Sequence, residues 1–550
     1  MVEIESCSEP MSLYGMIVHK SEAFPDRDAV EYYNTRNTYR QMIEKINTCA
    51  DALIFHGIKQ RDHIALCLPN IPEAIFMIYA VNKIGAVCVM MHPLCSMEEA
   101  VETVAETNCR AIICLDANLS KFVKTAVHFI ITVSSAQLLN PALSFLGSVR
   151  LPSLVKGVKV LRWKEFIRKG KHNTENSIHP EDEALILGSG GTCGIPKKIV
   201  LTNASINALA LMVQSLNRTE GNDGLLCIMP VFHGFGLCFC VHAALLGGKR
   251  CILAPRYSDR SFARIMKHSK PAYLVGVPLL YERMVRNRYI KKVDLHYVIG
   301  AACGGDSMTE RTYNNITEFL KTHGCETELQ IGYGLTECVT ACTYTPEHEY
   351  RPGRVGKPFE GIQIKIVDDI NNELPPETVG EILVNGPTLM KEYFCDPEAT
   401  DTALFKDCNN VLWLKTGDIG KMDKEGYLYF IQRKKRVIKR SGYSVFPSMI
   451  EDVVESFPGV SRTCVVNVPR STQDENNDEA SDKLIAFVAI KNAPRNLEAE
   501  IIAFCRNRLN PFSVPTRVIN VNSLPLTRLK KIDAAALENL AFDLFKESQQ

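Results

Sequence analysis

A glycine-rich segment is the part of this sequence whose residue types and spacing most directly indicate chemistry. The apolar run 184–187 leads into GSGGTCGIPKK at 188–198. Glycines let backbone N–H groups approach a phosphate and form an anion-binding concavity. Ser189 and Thr192 add hydroxyl donors, and Lys197 adds a cation. The segment predicts a phosphate-binding loop, and a glycine-rich hairpin without a ligand is the alternative that it leaves open on its own.

The loop does not fit the Walker A pattern G-x-x-x-x-G-K-[ST]. Pro196 precedes the lysine pair, and the apolar run at 199–201, which begins with two β-branched residues, follows it. A Walker loop leads into a helix, whereas this run predicts a strand. We therefore expect a phosphate loop between two strands, and with it a different nucleotide-binding fold.

Further segments with residues suited to nucleotide chemistry stand in order along the chain. They are PVFHG (230–234), CGGDSM (303–308), GYGLTE (332–337), WLKTGD (413–418), QRKKRVIKRSGY (432–443) and PLTRLKKI (525–532). Together with the loop, they resemble the motifs of the adenylate-forming superfamily of acyl-CoA synthetases, peptide-synthetase adenylation domains and beetle luciferases. The resemblance covers nearly the whole chain and implies that the phosphates of ATP bind at Ser189, Gly190, Gly191, Thr192, Gly194 and Lys197.

The resemblance also implies where the acyl group and the adenine bind. His233, in a segment similar to P-x-F-H, borders the carboxylate or gates the acyl tunnel. The backbone at Gly305, Asp306 and Ser307, in a segment similar to S-G-G-[AE]-x-[LM], lies against the adenine, where a Cβ would block the flat ring. Tyr333 offers a π face for adenine stacking.

The motifs similar to Y-G-x-T-E and [WY]-x-x-T-G-D imply contacts to the rest of the nucleotide. Thr336 donates to the α-phosphate, and Glu337 holds Mg²⁺, a hard cation that prefers oxygen ligands. The two oxygens of Asp418 accept hydrogen bonds from the ribose hydroxyls. Arg433 contacts the ribose, and Lys435 falls at the hinge of the family.

The last motifs imply the groups that act in turn at the reacting centre. Lys531 matches the lysine that bridges the substrate carboxylate and the α-phosphate, with Lys530 as the rival because it stands where glycine is usual. Gly442 belongs to the segment that approaches the thioester tunnel after the C-terminal domain swings. A nuclear-localisation or nucleic-acid patch is the alternative interpretation of the basic run at 433–440.

Five positions depart from the family's usual residues. They are Cys193 for threonine, Lys198 for glycine, Asn203 for a frequent histidine, Gln432 for glycine and Lys530 for glycine.

The resulting hypothesis is an AMP-forming acid–thiol ligase that uses ATP, Mg²⁺ and coenzyme A. A carboxylic acid attacks the α-phosphate, pyrophosphate leaves, and coenzyme A then displaces AMP from the acyl-adenylate. Two alternatives stay open: a stand-alone adenylating enzyme that loads a separate carrier protein or an amine, and a nucleotide-binding protein without turnover. By family spacing, none of the pocket positions is acidic, which favours a non-amino fatty or aromatic acid. These positions are His233, Gly234, Val277, Cys303, Gly304, Leu335 and Val339.

Alternating helical and β-rich patterns predict the elements that position these residues. Strands are expected at 63–68, 111–115, 224–229, 250–253 and 273–277, and helices at 42–56 and 71–84, as parallel α/β layers. From 353 to 430 short alternating strands predict an antiparallel sheet or small barrel. We expect an N-terminal adenylation domain, 1–431, of parallel-sheet α/β subdomains with a β-barrel-like subdomain, and a small mobile α+β C-terminal domain, 432–550.

Composition excludes several classes of protein. The chain has 550 residues, 63 Lys plus Arg against 62 Asp plus Glu and a formal net charge of +1, which argues against a bulk nucleic-acid binder. Its 20 cysteines include no C-x-x-C pair, so we expect reduced, mostly buried thiols. The stretch 74–94 is interrupted by polar residues and predicts a helix and a buried strand rather than a membrane span. With no signal peptide in MVEIESCSEP, we expect a cytoplasmic protein.

Overall fold

The structure is a computed structural model. It describes residues 11–33, 35–138, 154–155, 157–168, 177–189, 197–216, 223–440, 443–468, 483–490, 493–526 and 532–547.

The N-terminal part of the chain alternates helices and strands. The helices are α1 (Leu13–Ser21), α2 (Tyr39–Phe55), α3 (Pro72–Lys83), α4 (Met97–Glu106), α5 (Trp163–Phe166) and α6 (Asn203–Leu216). The strands are β1 (Asp28–Tyr32), β2 (Thr35–Thr38), β3 (His63–Cys67), β4 (Val87–Met90), β5 (Ala111–Leu115), β6 (Phe129–Val133), β7 (Leu154–Val155), β8 (Val158–Arg162), β9 (Glu183–Gly188) and β10 (Lys198–Thr202). Capping boxes at Thr38 and Ser96 begin α2 and α4 by satisfying backbone N–H groups of the first turn.

The same alternation continues to residue 331 and then gives way to short strands. The helices are α7 (Ala243–Leu246), α8 (Asp259–His268), α9 (Pro278–Arg286), α10 (Glu310–Thr322) and α11 (Pro397–Ala403). The strands are β11 (Gly224–Cys227), β12 (Arg250–Leu253), β13 (Tyr273–Gly276), β14 (Gly300–Cys303), β15 (Leu329–Ile331), β16 (Thr343–Tyr344), β17 (Arg354–Pro358), β18 (Gln363–Val367), β19 (Gly380–Asn385), β20 (Glu392–Tyr393), β21 (Leu404–Lys406), β22 (Leu412–Met422) and β23 (Leu428–Arg433).

The C-terminal elements begin after a short 3₁₀ turn at Lys434–Arg436. They are the strands β24 (Ile438–Arg440), β25 (Tyr443–Val445), β26 (Val460–Val468), β27 (Lys483–Ile490) and β28 (Arg517–Asn520), with the helices α12 (Pro447–Glu455), α13 (Leu497–Arg506) and α14 (Ala534–Glu547). Within the described residues, the core clusters formed by this part of the chain begin at Ile438, and those of the preceding part end at Phe430. The C-terminal elements therefore have cores of their own.

Two large sheets with parallel centres organise the chain up to residue 331. One has the order β15-β14-β13-β11-β12-β1-β2, and the other β20-β10-β9-β4-β3-β5-β6-β8-β7. Every residue of β4, β5 and β6 is buried, which is the pattern of parallel strands covered on both faces. The predicted α/β architecture is confirmed, and the stretch 74–94 is a helix followed by a buried strand, as expected.

The third sheet is antiparallel, with the order β16-β17-β23-β22-β19-β18 and β21 on β22. Its end strands β16 and β18 are not bridged to each other in the described residues, so it is an open sheet. In the described part of the chain, all cysteines are free thiols and all but Cys395 and Cys408 are buried. The helices described here include none that is both long and apolar enough to cross a membrane.

The topology brings the sequence motifs to one edge. The segments at 230–234, 277, 303–308 and 332–337 follow the carboxyl ends of β11, β13, β14 and β15. These four strands are parallel neighbours in one sheet. Ligands of open α/β sheets bind in the crevice outside the carboxyl ends of the strands.

A buried histidine fixes the packing of three helices behind this edge. His242 ends the π-helix Phe235–His242, with Nδ1 3.0 Å from the Tyr79 hydroxyl and Nε2 2.8 Å from Asn207 Oδ1. The amide oxygen of Asn207 requires the proton on Nε2, so Nδ1 accepts from Tyr79. Burial lowers the pKa of His242 to about 3.

This network predicts acid sensitivity. Because the unfolded histidine titrates near 6.5, only the unfolded chain gains the proton between about pH 6.5 and 3. The free energy of unfolding should fall by about 1.4 kcal/mol for each pH unit below 6.5 through this group alone. Urea titrations at pH 7.0 and 5.5 should therefore show a smaller acid loss for His242→Gln than for the native chain. Equal losses would contradict the assignment.

Candidate active site

The predicted phosphate loop lies between two antiparallel strands. β9 pairs with β10, with Leu187 opposite Ile199. Ser189 N–H donates to the Lys197 carbonyl at 2.8 Å, and Lys197 N–H donates to Ser189 Oγ at 3.0 Å. These bonds close the base of the loop and leave the Ser189 hydroxyl proton available as a donor. The predicted strand after the lysine pair is confirmed, which excludes a Walker A loop.

Tyr393 joins this loop to the segment that contains Glu337. It lies on β20, opposite Ile199 of β10. Its hydroxyl donates to Glu337 Oε1 at 2.9 Å, and Lys197 Nζ is 4.3 Å from its ring centroid. Burial, with the Glu337 carboxylate, raises the pKa of Tyr393, so its hydroxyl remains a donor. No sequence motif indicates Tyr393, because only the pairing of β10 with β20 brings it to the site.

Tyr333 and Asp418 meet across two sheets. Tyr333 follows β15, and its hydroxyl donates to Asp418 Oδ2 of β22 at 2.6 Å. The ring of Tyr333 stacks on Phe430 of β23, with centroids 5.8 Å apart and an interplanar angle of 29°. Phe430 also lies outside every sequence motif, since its place behind Tyr333 depends on how the antiparallel sheet meets β15.

Asp418 is a buried carboxylate with one poorly satisfied oxygen. Its side chain is 1% exposed, and Arg433, its partner in register on β23, holds Nη1 3.0 Å from Oδ1. The guanidinium is within ion-pair distance but donates no aligned hydrogen bond to Oδ1. Burial raises the pKa of Asp418 to about 6, although Arg433 and the Tyr333 hydroxyl oppose the shift. A buried acceptor of this kind fits a hydroxyl donor from a ligand.

Close backbone contacts draw the remaining segments together. A Cβ on Gly304 would lie 2.9 Å from the Gly332 carbonyl oxygen, and one on Gly234 would lie 2.5 Å from that of Val339. The neighbouring strand end therefore requires glycine at 304. Beyond it, Gly305, Asp306 and Ser307 are exposed.

His233 and Thr336 lie in the segments that follow β11 and β15, at the same edge of the sheet. The Nδ1 of His233, which is half-buried, accepts from the Phe235 backbone N–H at 3.2 Å. Thr336 is buried and begins the 3₁₀ turn Thr336–Cys338. Among the predicted acyl-pocket residues, Val277 is half-buried like His233, and the three remaining non-glycine residues are buried. These are Cys303, Leu335 and Val339.

Several predicted site residues lie outside the described residues. They are Gly190, Gly191, Thr192, Gly194, Gly442 and Lys531, together with the rival Lys530 and the substituted Cys193. On either side of the two lysines, Leu526 and Ile532 form an antiparallel bridge, and Asp533 N–H donates to the Pro525 carbonyl at 2.9 Å.

Three departures from the usual motif residues have structural partners. Lys198 pairs with Glu106 of α4. Asn203 Oδ1 accepts from Leu13 N–H and from Asn82, which ties the start of α1 to α6 and α3. The Gln432 side chain accepts from the backbone N–H and hydroxyl of Ser448 at 3.3 and 3.2 Å, which joins β23 to the start of α12.

The raised pKa of Asp418 predicts that this carboxylate opposes stability at neutral pH. The folded pKa of about 6 exceeds the unfolded value near 3.9, so the folded chain holds the proton of Asp418 more tightly than the unfolded chain does. The stability that protonated Asp418 contributes is therefore fully present below pH 4 and is lost as the pH rises through 6. The unfolding free energy of Asp418→Asn relative to the native chain should therefore rise by about 1–2 kcal/mol between pH 5 and 8. AMP affinity should fall at least about tenfold, since the charged acceptor is lost.

Asp423→Asn is the matched control for this measurement. Asp423 is also a buried aspartate, directly after β22, and is paired with Arg354 at 2.8 Å, but it lies outside the site. It should show no gain in stability and no loss of AMP binding. A loss of stability in Asp418→Asn that is independent of pH would contradict the assignment.

The chain is similar to known proteins over most of its length. Residues 17–394 match the sequence model of the AMP-binding enzyme family, and residues 449–531 match that of the AMP-binding enzyme C-terminal domain. A long-chain-fatty-acid–CoA ligase of Escherichia coli O6:H1 is 29% identical over 547 residues, covering 95% of this chain and 93% of the relative.

Two solved structures share the fold over nearly the whole chain. ATP-bound MatB from Rhodopseudomonas palustris superposes with a TM-score of 0.82 at 20% identity, covering 97% of this chain and all of that one. The anthranilate CoA ligase AuaEII, in complex with anthranoyl-AMP, superposes with a TM-score of 0.83 at 19% identity, covering 99% of this chain and all of that one. The protein belongs to the family of AMP-binding enzymes.

Proposed function

We propose that this protein activates a carboxylic acid with ATP to an acyl-adenylate, releasing pyrophosphate, and then transfers the acyl group to coenzyme A with release of AMP. The observation that carries the proposal is the joining of four dispersed segments by direct contacts. Lys197 packs on Tyr393, Tyr393 donates to Glu337, and Tyr333, in the same segment as Glu337, donates to Asp418.

The residues in contact suit the first half-reaction. A carboxylate is a weak nucleophile that meets repulsion from a triphosphate, so catalysis depends on positioning and on neutralising charge. Lys197 supplies a cation beside the phosphate loop, and Ser189 and Thr336 supply hydroxyls. Asp418 is the ribose acceptor, with Arg433 at the same carboxylate. Lys531 is the ammonium that stabilises charge at the reacting phosphorus.

Glu337 suits a divalent cation of the ATP complex. Its Oε1 is oriented by Tyr393, and carboxylate and phosphate oxygens are the ligands that Mg²⁺ prefers. When bound, Mg²⁺ would neutralise charge on the phosphates. The part of Tyr393 is to hold the carboxylate in one rotamer and to give the Lys197 ammonium an aromatic face.

Coenzyme A is the favoured acceptor, and a fatty acid is the favoured acid. The E. coli relative is named as a ligase of long-chain fatty acids and coenzyme A, and it aligns over almost its full length. The apolar Val277, Cys303, Leu335 and Val339 suit an alkyl chain better than the ammonium of an amino acid, which would need a buried acidic partner. Transfer to a carrier protein or an amine is the alternative acceptor chemistry.

We place the domain boundary at about residue 432. The separate cores on either side of the 3₁₀ turn support it, and Lys435 within the turn is the pivot between the two half-reactions. The N-terminal part holds ATP and the acid, whereas the C-terminal part supplies Lys531 to the first step and the segment around Gly442 to the second.

The function predicts acid-dependent ATP–pyrophosphate exchange, followed by AMP release that requires coenzyme A. Saturated fatty acids of graded length, benzoate-type acids and amino acids should be assayed separately. We expect exchange with fatty acids and acyl-CoA formation on addition of coenzyme A. A protein that exchanges pyrophosphate with none of these acids contradicts adenylation, whereas exchange without acyl-CoA formation contradicts the acceptor.

Lys531→Ala and Lys530→Ala form a matched pair of adjacent substitutions. Lys531→Ala should lower pyrophosphate exchange by at least about a hundredfold, because charge at the transition state loses its ammonium. Conversion of a synthetic acyl-adenylate to acyl-CoA should be spared. Lys530→Ala should leave both steps within about threefold of the native rates. The reverse pattern would assign the catalytic role to Lys530. Equal loss of both half-reactions in Lys531→Ala would contradict a role for Lys531 in adenylation alone.

Tyr393→Phe tests the link between the phosphate loop and Glu337. The ring on which Lys197 packs remains, but Glu337 loses the donor that orients it. We expect a rise of about tenfold in the magnesium concentration that gives half-maximal exchange, with a smaller change in the KM for the acid. Direct titration of Mn²⁺ binding to the ATP complex should show the same shift. An unchanged metal dependence would contradict the orienting role.

A further inference from the structure

The turn between the antiparallel sheet and the C-terminal elements has ion-paired residues on both sides of Lys435. β23 ends at Arg433, the turn Lys434–Arg436 follows, and Ile438 of β24 is already part of the C-terminal core. Lys435, at the centre of the turn, has an exposed side chain. Its two neighbours are both held in ion pairs: Lys434 with two carboxylates and Arg436 with one, and these carboxylates lie on opposite sides of the turn.

Lys434 is bound to the N-terminal side. Its Nζ lies 2.8 Å from Glu381 Oε2 and 3.3 Å from Asp369 Oδ1. Glu381 is on β19 of the antiparallel sheet, and its side chain is only 11% exposed. Glu381 also accepts from the Gly417 backbone N–H at 3.3 Å, so the strand that carries Asp418 fixes its position. The paired carboxylates raise the pKa of Lys434, which keeps the ammonium charged.

Arg436 is bound to the C-terminal side. Its Nη2 donates to Glu451 Oε1 of α12 at 2.6 Å and to the Val465 carbonyl of β26 at 3.4 Å. The same Glu451 oxygen accepts from the Val465 backbone N–H at 2.8 Å. The guanidinium is therefore tied to one helix and one strand that share the C-terminal core.

We infer that Lys434 and Arg436 are positioning residues that confine the rotation between the two domains to the backbone of Lys435. This inference rests on the proposed two-step function, in which the C-terminal domain must present two different faces to one site. A residue has only two soft backbone dihedrals, so a pivot of one residue defines the path between the two arrangements. Without the flanking ion pairs, the same turn could be shared among several residues.

If the ion pairs confine the rotation, removing one of them should partly rescue a chain whose pivot residue is blocked. Lys435→Pro fixes φ at the pivot and should slow the coenzyme A-dependent step by at least about tenfold, while pyrophosphate exchange continues. If Lys434 is fastened, its backbone cannot replace the lost rotation. Lys434→Gln removes the charge of one anchor, and should restore the coenzyme A-dependent rate of the Lys435→Pro chain by at least about fivefold. A residue with only a general stabilising role would make the double variant worse.

Two double variants provide the controls. Lys434→Arg in the Lys435→Pro chain keeps the cation opposite Glu381 and should not restore the rate. Lys421→Gln in the same chain removes a comparable ion pair, in which Lys421 of the antiparallel sheet lies 2.6 Å from Glu377. This pair is distant from the turn, so its loss should not restore the rate either.

Arg436→Gln is the corresponding change at the second anchor and should restore the rate of the Lys435→Pro chain as Lys434→Gln does.

Each chain should be assayed for pyrophosphate exchange and, separately, for conversion of a synthetic acyl-adenylate to acyl-CoA. Suppression by Lys434→Gln and Arg436→Gln, but not by the two controls, supports the inference. Lack of suppression, equal suppression by Lys421→Gln, or a Lys435→Pro chain with a native second step overturns it. Loss of exchange in the native chain with every acid would instead refute the proposed function, which keeps the two failures distinct.

Discussion

The carboxylate of Asp418 is the interaction on which the candidate site depends. It is withdrawn from water, it accepts from the Tyr333 hydroxyl at 2.6 Å, and it faces Arg433 across the antiparallel sheet. Burial raises its pKa to about 6 in spite of these two partners. A charge so placed opposes folding unless another donor satisfies it, and a ribose offers two hydroxyl donors. The same contact also fixes the Tyr333 ring, which stacks on Phe430.

The remaining parts of the site follow from strand order. Four parallel neighbours, β11, β13, β14 and β15, end at one edge, and each is followed by a segment of the site. The strands that flank the predicted phosphate loop belong to the other parallel-centred sheet, and the pairing of β10 with β20 brings Tyr393 between Lys197 and Glu337. The third sheet closes the site with Asp418 and Arg433 and leads directly into the turn at Lys434–Arg436.

Local patterns were sufficient for the elements, because hydrophobic periodicity and glycine content are local properties. The expected strands at 111–115 and 250–253 have those bounds in the structure, and the predicted phosphate loop stands between two strands. Tyr393, Phe430 and the anchors of Lys434 and Arg436 were not predicted, because each depends on a pairing between segments distant in sequence. The close approach of the Gly332 carbonyl to Gly304 was likewise not predictable, because it depends on how neighbouring strand ends pack. Similarly, nothing local to Asn203 or Gln432 indicates the partners that they bind.

The most direct test of the central claim is calorimetric comparison of AMP with its 2′,3′-dideoxy analogue. Both molecules have the same base and phosphate, so the difference in affinity measures the contact between the ribose hydroxyls and the protein. Hydrogen bonds to a charged acceptor contribute about 1.5–3 kcal/mol each, so the account predicts that AMP binds at least about a hundredfold more tightly. Equal affinities for the two nucleotides would contradict the role of the buried carboxylate as the ribose acceptor.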